Sequence, residues 1–345
     1  MEIPFLIAIL IILLIAPLIS KRIEYNLEIF FFFIALLAIT VVGKWSEAIL
    51  LEAILAPLTV SNFPLGIFQV VIIAGIIFAK FEREFNSFFA RRSNPLSVLA
   101  ITLPLSLLSS VISVIVASVI LSEVIRAMKI GNKKKVLILG AYSLGLGAAL
   151  TPIGEPLSTI AVHKLAGDPY HANFFFLFNL LSDYIIPIIL ILNLYLFLLV
   201  KRSKVIEREE VIVKQSYREV LLRGFKIYLF IFSLILLGES FEPLVEEYIK
   251  FLTPEFLYLF GIISSAVDNA TLTAAIISPE LTILQIKSFL ISLLISGGFL
   301  IPGNIPNIII AYIHKIGFKD WAKEALPIGL PLFFSSFFII FFIKV

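Results

Sequence analysis

The sequence predicts an all-α integral membrane protein made of inverted-topology repeats, each with a re-entrant hairpin and a proline-broken transmembrane helix. Three observations predict this. Of the 345 residues, 60% are hydrophobic and 15% charged, against roughly 25% charged in soluble domains, and the mean hydropathy is +1.07. Apolar stretches recur from end to end, as in IPFLIAILIILLIAPLIS (3–20), FFFLFNLLSDYIIPIILILNLYLFLLV (174–200) and LPIGLPLFFSSFFIIFFI (326–343). Each approaches the roughly 17–25 residues that a helix needs to cross a bilayer, and each is apolar all round, unlike a soluble amphipathic helix. The third observation is that the second half of the chain repeats the order of elements in the first.

The count of about eight spans starts at the first apolar run. Glu2 precedes residues 3–19 and the basic pair Lys21-Arg22 follows them. That order suits a retained span, not a cleaved signal peptide with its basic n-region. Lys and Arg then gather in five places: Lys21-Arg22; Lys80, Arg83, Arg91 and Arg92; Arg126, Lys129 and Lys133 to Lys135; the stretch 201–226; and Lys315, Lys319 and Lys323. These hold 22 of the 27 basic residues, so the positive-inside rule puts all five in the cytoplasm.

Parity then orders the segments. Residues 4–20 run inward, 27–43 outward and 63–79 inward, with the run FFFF (30–33) facing lipid. Residues 95–127 must leave and return on one side. Residues 136–166 cross outward, 174–200 inward and 225–239 outward. Residues 254–279 must start and finish outside, 283–314 cross inward and 325–343 end outside. The two returning segments read as re-entrant hairpins, whose irregular tips need burial in protein or a wet cavity. The loop 201–223 reads as an amphipathic cytoplasmic helix, and SFEPLVEEYIKFL (240–252) as an outer interfacial helix.

The repeat is visible in short motifs. SSVISVIVAS (109–118) lies over SSAVDNATLT (264–273), and GAALTPIGEP (147–156) over GGFLIPGNIP (297–306). The unit span, hairpin, broken segment, span occurs twice with opposite orientation, a plan common among secondary transporters. The domain reading is therefore residues 1–62 as N-terminal scaffold spans, 63–200 as repeat 1, 201–224 as cytoplasmic linker and 225–345 as repeat 2.

Polar residues inside these spans mark the candidate site. In TPIGEPLST (151–159), Pro152, Gly154 and Pro156 break the helix and expose backbone groups at mid-membrane. IPGNIPN (301–307) repeats the break and adds Asn304 and Asn307. Glu155 and Asp268 are the acids at mid-depth, where a carboxylate costs about 2.5–3.5 kcal/mol on insertion scales. Asn269, Ser264, Ser265, Thr271 and Thr273 surround Asp268 with oxygen donors, which hard cations prefer. Thr151 and Gly154 belong to the first break; Ser109, Ser110 and Ser113 suit either the site or helix packing. No Lys or Arg lies in either tip or break, so the buried charge favours a cation. Glu123 has Arg126 at i+3 and reads as a local ion pair. Asp183 and Asn193 suit either the pathway or a bond to a neighbouring helix. His163 reads as interfacial and His314 as a cytoplasmic anchor.

Several classes are excluded or disfavoured. The formal net charge of +3 does not suggest nucleic acid, and the absence of Cys removes disulfides, thiolate metal sites and Cys nucleophiles. No Walker A loop suggests ATP driving. No enzyme is expected: the S-x-x-x-D spacing makes no nucleophile and no His stands beside Ser264.

TPIGE (151–155), SSAVDNATL (264–272) and SGGFLIPGNIPN (296–307) resemble elements of the ion transporter superfamily. That group includes NhaD-type sodium/proton antiporters, arsenite permeases and carboxylate carriers of the INDY type. TPIGE is similar to the TPIGD element of NhaD-type proteins, and SSAVDNATL to their S-x-x-x-DN element. The chain also resembles a small, largely uncharacterised prokaryotic family labelled as cation transporters. Over residues 60–345 the resemblance implies two inverted repeats, ion and substrate sites between hairpin tips and helix breaks, and a homodimer. Ser113 and Val114 stand where the second hairpin has Asp268 and Asn269, a departure from the carboxylate-carrier signature.

These readings converge on a secondary active cation transporter exchanging sodium for protons, with Asp268, Asn269 and Glu155 holding sodium. The alternative is a sodium-coupled carboxylate or other anion symporter; a passive channel is a further one. No cofactor is expected beyond sodium as transported or coupling ion. The expected partners are a small inorganic cation, the proton, the lipid bilayer and a second copy. The expected place is the cell membrane, multi-pass, with both termini outside.

Overall fold

The computed structural model describes residues 2–24, 26–59, 66–81, 84, 88, 93–203, 217–248 and 252–343, and all regular structure among them is helical. The chain opens with α1 (Glu2–Ile19), α2 (Lys21–Glu24), α3 (Leu27–Val42) and α4 (Glu47–Leu55). Gly43 ends α3 in the left-handed region at φ 67°, where its N–H bonds Thr40 O and the next N–H reaches Ile39 O, the glycine stop that orphan carbonyls favour. Ser46 caps α4 by accepting from Ile49 N at 3.2 Å. After α5 (Ile67–Lys80) come α6 (Pro95–Ile112), α7 (Val114–Ala127), α8 (Lys133–Ala148), α9 (Pro156–Lys164) and α10 (Phe176–Arg202). The second half holds α11 (Tyr217–Tyr248), α12 (Pro254–Phe260), a 3-10 turn (Gly261–Ser265), α13 (Asn269–Ile276), α14 (Ile283–Gly297), a second 3-10 turn (Ile301–Gly303), α15 (Ile305–His314) and α16 (Phe318–Phe342).

Among the described residues, four helical stretches are long and apolar enough to cross a membrane: Pro95–Ile112, Phe176–Arg202, Val220–Phe241 and Phe318–Phe342. Shorter apolar helices cover Pro4–Pro17, Leu27–Val42, Ile283–Gly297 and Ile305–His314. The chain is thus an all-α membrane protein. One arm of the 95–127 segment, 18 residues or about 27 Å of helix, is itself of crossing length. The sequence reading took the whole segment as too long for one span and too short for two full spans with a turn.

Two other expectations are corrected. Residues 240–248 do not form a separate interfacial helix; they continue α11, which runs unbroken for 32 residues. Pro243 stands inside that helix, where it removes one backbone hydrogen bond without ending it. The run FFFF does not face lipid as a unit. Phe33 is exposed, but Phe31 is fully buried against the Phe230 ring at 4.8 Å, because four successive residues circle a helix of 3.6 residues per turn. Most of the amphipathic linker helix expected over 201–223 falls on residues 204–216, outside the described residues.

The helix neighbours follow one pattern in both halves. α8 packs on α6 and α10, while α14 packs on α12 and α16; α7 lies against α15, and α9 against α13. α3, α4 and α5 all pack on α11. Lipid tails are as apolar as Leu, so association in a membrane relies on close packing and hydrogen bonds. Small polar side chains supply both. Ser109 Oγ donates to Leu144 O at 2.9 Å and Ser296 Oγ to Gly261 O at 2.8 Å. Buried aromatics do the same: Tyr142 to Ile295 O at 2.6 Å, Tyr258 to Phe333 O at 2.7 Å and Trp321 to Gly298 O at 3.2 Å.

The ends of two segments meet. Lys129 N donates to Ser93 Oγ at 2.6 Å, so residues 93–129 return to where they began. Near residues 254–282, Gln285 Nε2 reaches Leu252 O at 3.0 Å and Ser288 Oγ reaches Pro254 O at 3.3 Å.

Candidate ion and substrate site

Both proline motifs break their helices. α8 stops at Ala148 and α9 restarts at Pro156; α14 stops at Gly297 and α15 restarts at Ile305. Each break is met by an irregular turn. Ser113, at φ 70°, separates α6 from α7, and Val114 N donates to Gly154 O at 2.9 Å. Thr151 Oγ1 donates to Ser110 O. In the second half the turn 264–268 lies on the break after Gly297: Ser264 Oγ donates to Leu293 O at 3.1 Å and meets Ser296 Oγ at 2.8 Å. A helix break leaves backbone groups without partners, and each turn supplies some of them.

Asp268 precedes α13 and caps it, accepting from Thr271 N at 3.1 Å and Thr271 Oγ1 at 3.4 Å. It is half-buried and faces a cavity of about 480 Å³. Glu155 is buried at the start of α9, and its neighbour Pro156 lines the same cavity as Asp268. Asn269, Asn304 and Asn307 are buried with it. Asn307 Nδ2 donates to Gly297 O at 2.8 Å and to Leu300 O at 2.9 Å, which fixes its amide and leaves Oδ1 free as an acceptor. A methyl group on Gly297 would lie 2.6 Å from Asn269 Nδ2, and one on Gly145 only 2.0 Å from Asn304 Nδ2. Both glycines leave the space that an amide fills.

Among the described residues, the buried side-chain atoms without a hydrogen-bond partner are Glu155 Oε1, Ser158 Oγ, both polar atoms of Asn269 and Asn304, and Asn307 Oδ1. Buried polar groups are ordinarily paired, and all these residues lie at or beside the breaks and the second turn. Five of the atoms are oxygens, the donor type that hard cations take. No group of three His, Asp or Glu suited to a metal occurs among the described residues. A cation here would rest on amide and hydroxyl oxygens with a carboxylate.

Several other residues that the sequence singles out have partners. Ser109 donates to Ser106 O and Leu144 O, and Ser110 to Leu107 O at 2.8 Å, both in packing between or within helices. Ser265 is buried beside Ser264, and Thr273 donates to Asn269 O at 2.9 Å. Glu123 pairs with Arg126. Asn193 bonds neighbouring helices through Thr102 and Ser143, whereas Asp183 is exposed. His163 is exposed, and His314 Nε2 lies 2.8 Å from Ser122 Oγ.

The sequence reading missed three groups. Ser158 follows Glu155 by one helical turn inside a motif already singled out. Glu52 and Glu239 line the cavity with Asp268; an acid inside the apolar run ILLEAIL (49–55) was the available signal.

The sequence model of the family described as a protein of unknown function (DUF1646) matches residues 3–343, nearly the whole chain. The chain belongs to the DUF1646 family. Membership covers both breaks and both turns in one unit and assigns no chemistry to them. No curated protein matches the sequence.

Proposed function

We propose that this DUF1646 chain is a secondary active cation transporter that exchanges sodium for protons. The observation that carries the reading is the set of buried, unpartnered oxygens of Glu155, Asn269, Asn304 and Asn307 at the two helix breaks and the turn that carries Asp268. Sodium is cargo in this reading. The amide oxygens would supply neutral ligands, while Asp268 and Glu155 alternate between sodium and proton. The ion transporter superfamily, which the motifs resemble, implies ion and substrate sites between hairpin tips and helix breaks.

The fold supports the transport reading in two ways. Segments 95–127 and 254–279 are read as re-entrant hairpins, an interpretation supported by the Lys129–Ser93 contact and by the contacts of Leu252 and Pro254 with α14. An inverted repeat accounts for the matched neighbours of α8 and α14 and for the crossed pairs α7–α15 and α9–α13. Groups that the charge count puts in the cytoplasm also meet one another, as in Lys134–Asp320 at 2.6 Å and Lys135–Glu324 at 3.1 Å. On the other side, Lys164 reaches Ala274 O and Tyr170 reaches Leu281 O.

A second reading, sodium-coupled transport of a carboxylate, rests on the free Nδ2 atoms of Asn269 and Asn304, since an amide N–H calls for an acceptor. The deciding experiment is Asp268→Asn, which keeps size and removes the charge. A ligand that binds only the folded state stabilises it by RT ln(1 + [L]/Kd). Sodium should raise the melting temperature of the wild type, and this rise should vanish in the folded mutant together with sodium-driven proton flux in proteoliposomes. Undiminished sodium stabilisation and exchange in Asp268→Asn would overturn the reading. Uptake requiring an organic anion would select the symporter.

A further inference from the structure

A second, smaller cavity of about 180 Å³ opens at the end of α10 that the charge count puts in the cytoplasm. Asn132, Tyr195, Leu198, Leu199, Arg202 and Ser203 line it, where the start of α8 meets the end of α10. Asn132 sits in the left-handed region at φ 56°, which Asn tolerates. Its Nδ2 donates to Ser203 Oγ at 2.8 Å and joins the two helices. An amide nitrogen carries two N–H groups, so Asn132 has one beyond that bond. Lys135, in the first turn of α8, has its own partner in Glu324 at 3.1 Å, and its Nζ stands 5.6 Å from the centre of the Tyr195 ring. Among the described residues, Arg202 is the one charged group in the wall; it is exposed, and no acid lines the cavity.

Size and surroundings select the guest. The cavity has room for about six water molecules at roughly 30 Å³ each and falls below the roughly 300–1,000 Å³ of pockets that enclose a whole small molecule. It suits one polar head whose body lies outside. Outside, Leu190, Ile191, Leu194, Tyr195 and Leu198 are exposed on one stripe of α10, since steps of three and four keep to one helix face. The stripe ends at Lys201 and Arg202, both exposed. From Leu190 to Arg202 it runs about 18 Å, near one leaflet of a hydrocarbon core roughly 30 Å thick. Basic pockets at cytoplasmic helix ends take anionic lipid heads, and the planar fork of Arg matches two phosphate oxygens. With no acid in the wall to meet the ammonium of a zwitterionic head, the site complements a lipid of net negative charge.

We infer that this notch between α8 and α10 seats the phosphate of one anionic phospholipid, on Arg202 and the Asn132 amide, with an acyl chain along the exposed stripe of α10. The site is separate from the helix breaks and stands whichever ion they take.

The test uses the full chain in detergent with three probes: dioleoylphosphatidylglycerol, dioleoylphosphatidylcholine and inorganic phosphate. Native mass spectrometry reads the binding and a thermal melt reads the stabilisation. One phosphatidylglycerol should bind in preference to phosphatidylcholine and raise the melting temperature, as a ligand of the folded state does. Arg202→Gln should lower that preference roughly fivefold, the effect of one basic charge at a membrane surface. The lipid-free melting temperature should stay in place, because the side chain is exposed. Lys80→Gln, a change at an exposed residue of another basic cluster, should leave the preference as it was. An equal loss in Lys80→Gln would mean diffuse attraction to a basic surface. Equal binding of the two lipids would mean an apolar groove, and stabilisation by inorganic phosphate without any by lipid would mean an anion site outside the bilayer. Each of these results overturns the inference, as does an undiminished preference in folded Arg202→Gln. The comparison of the two lipids and phosphate on the wild type decides the matter even if Arg202→Gln fails to fold.

Discussion

Asn193 shows what a buried amide does when every group is met. It accepts from Thr102 Oγ1 at 2.5 Å and donates to Ser143 Oγ at 2.8 Å and Ile189 O at 2.9 Å, joining α6, α8 and α10. Asn193→Ala should lower stability by about 1 kcal/mol, nearer the modest values found for bonds between membrane helices than the larger penalty of an unmet group in a soluble core. Thermal unfolding in detergent measures it. The contrast is with Asn269, whose two polar atoms have no partner. Gly297→Ala would place a methyl 3.0 Å from Asn269 Oδ1 and 3.1 Å from Gly303 O. Something must shift, at a cost of about 1–3 kcal/mol for overpacking. Because the shifted group is the amide, the sodium-dependent rise in melting temperature should shrink more than the ligand-free melting temperature falls. A mutant that keeps its full sodium response would show that the Asn269 amide is not a ligand.

Among elements, the two returning segments differ more than their motifs suggest. The first has arms of 18 and 14 residues, while the second has α12 of 7, a short 3-10 turn and α13 of 8. Neither arm of the second is long enough to cross alone. The first depends on its fold-back at Ser113. Single cysteines can be placed at Ser93, Lys129, Thr253 and Glu280 in a sequence without native cysteine. A membrane-impermeant maleimide should label Ser93 and Lys129 variants from one face, and Thr253 and Glu280 variants from the opposite face. Labelling of Ser93 and Lys129 variants from different faces would mean that α6 crosses alone, and the inverted repeat would be lost.

On the scale of the whole molecule, an ion pair with a buried carboxylate helps to tie the N-terminal helices to the second half. Glu28 on α3 meets Lys226 on α11 at 2.7 Å and accepts from Tyr312 OH on α15 at 3.2 Å. The carboxylate is almost fully buried, while the Lys226 side chain remains 32% exposed. Breaking a fully buried pair costs about 3–5 kcal/mol; with solvent reaching the lysine, Glu28→Gln should cost roughly 1–2 kcal/mol. Thermal melts in detergent test this, and Tyr312→Phe should cost less because the ion pair survives. Stability unchanged in Glu28→Gln would mean that α3 is held by packing such as Phe31 on Phe230 alone.

Composition and the length of the apolar runs determined the membrane class, the absence of strands among the described residues and most helix positions, because a bilayer leaves backbone groups only internal partners. Local sequence also marked where the polar atoms lie, since Glu155, Asp268, Asn269, Asn304 and Asn307 stand out in apolar surroundings. It did not decide which proline motifs break a helix. PIGEP (152–156) and PIGLP (327–331) have the same spacing, yet the first ends α8 and opens α9, while the second runs through the middle of α16. The difference lies in what meets the freed backbone. Gly154 O accepts from Val114 N, whereas Gly329 packs against the Phe299 ring inside a continuous helix. Partners 40 and 30 residues away settle that choice, and so does the cavity, whose acids Glu52, Glu239 and Asp268 come from three separate segments. Spacing along a chain governs only near neighbours, and a broken helix or a shared chamber needs contacts that exist only after distant helices pack.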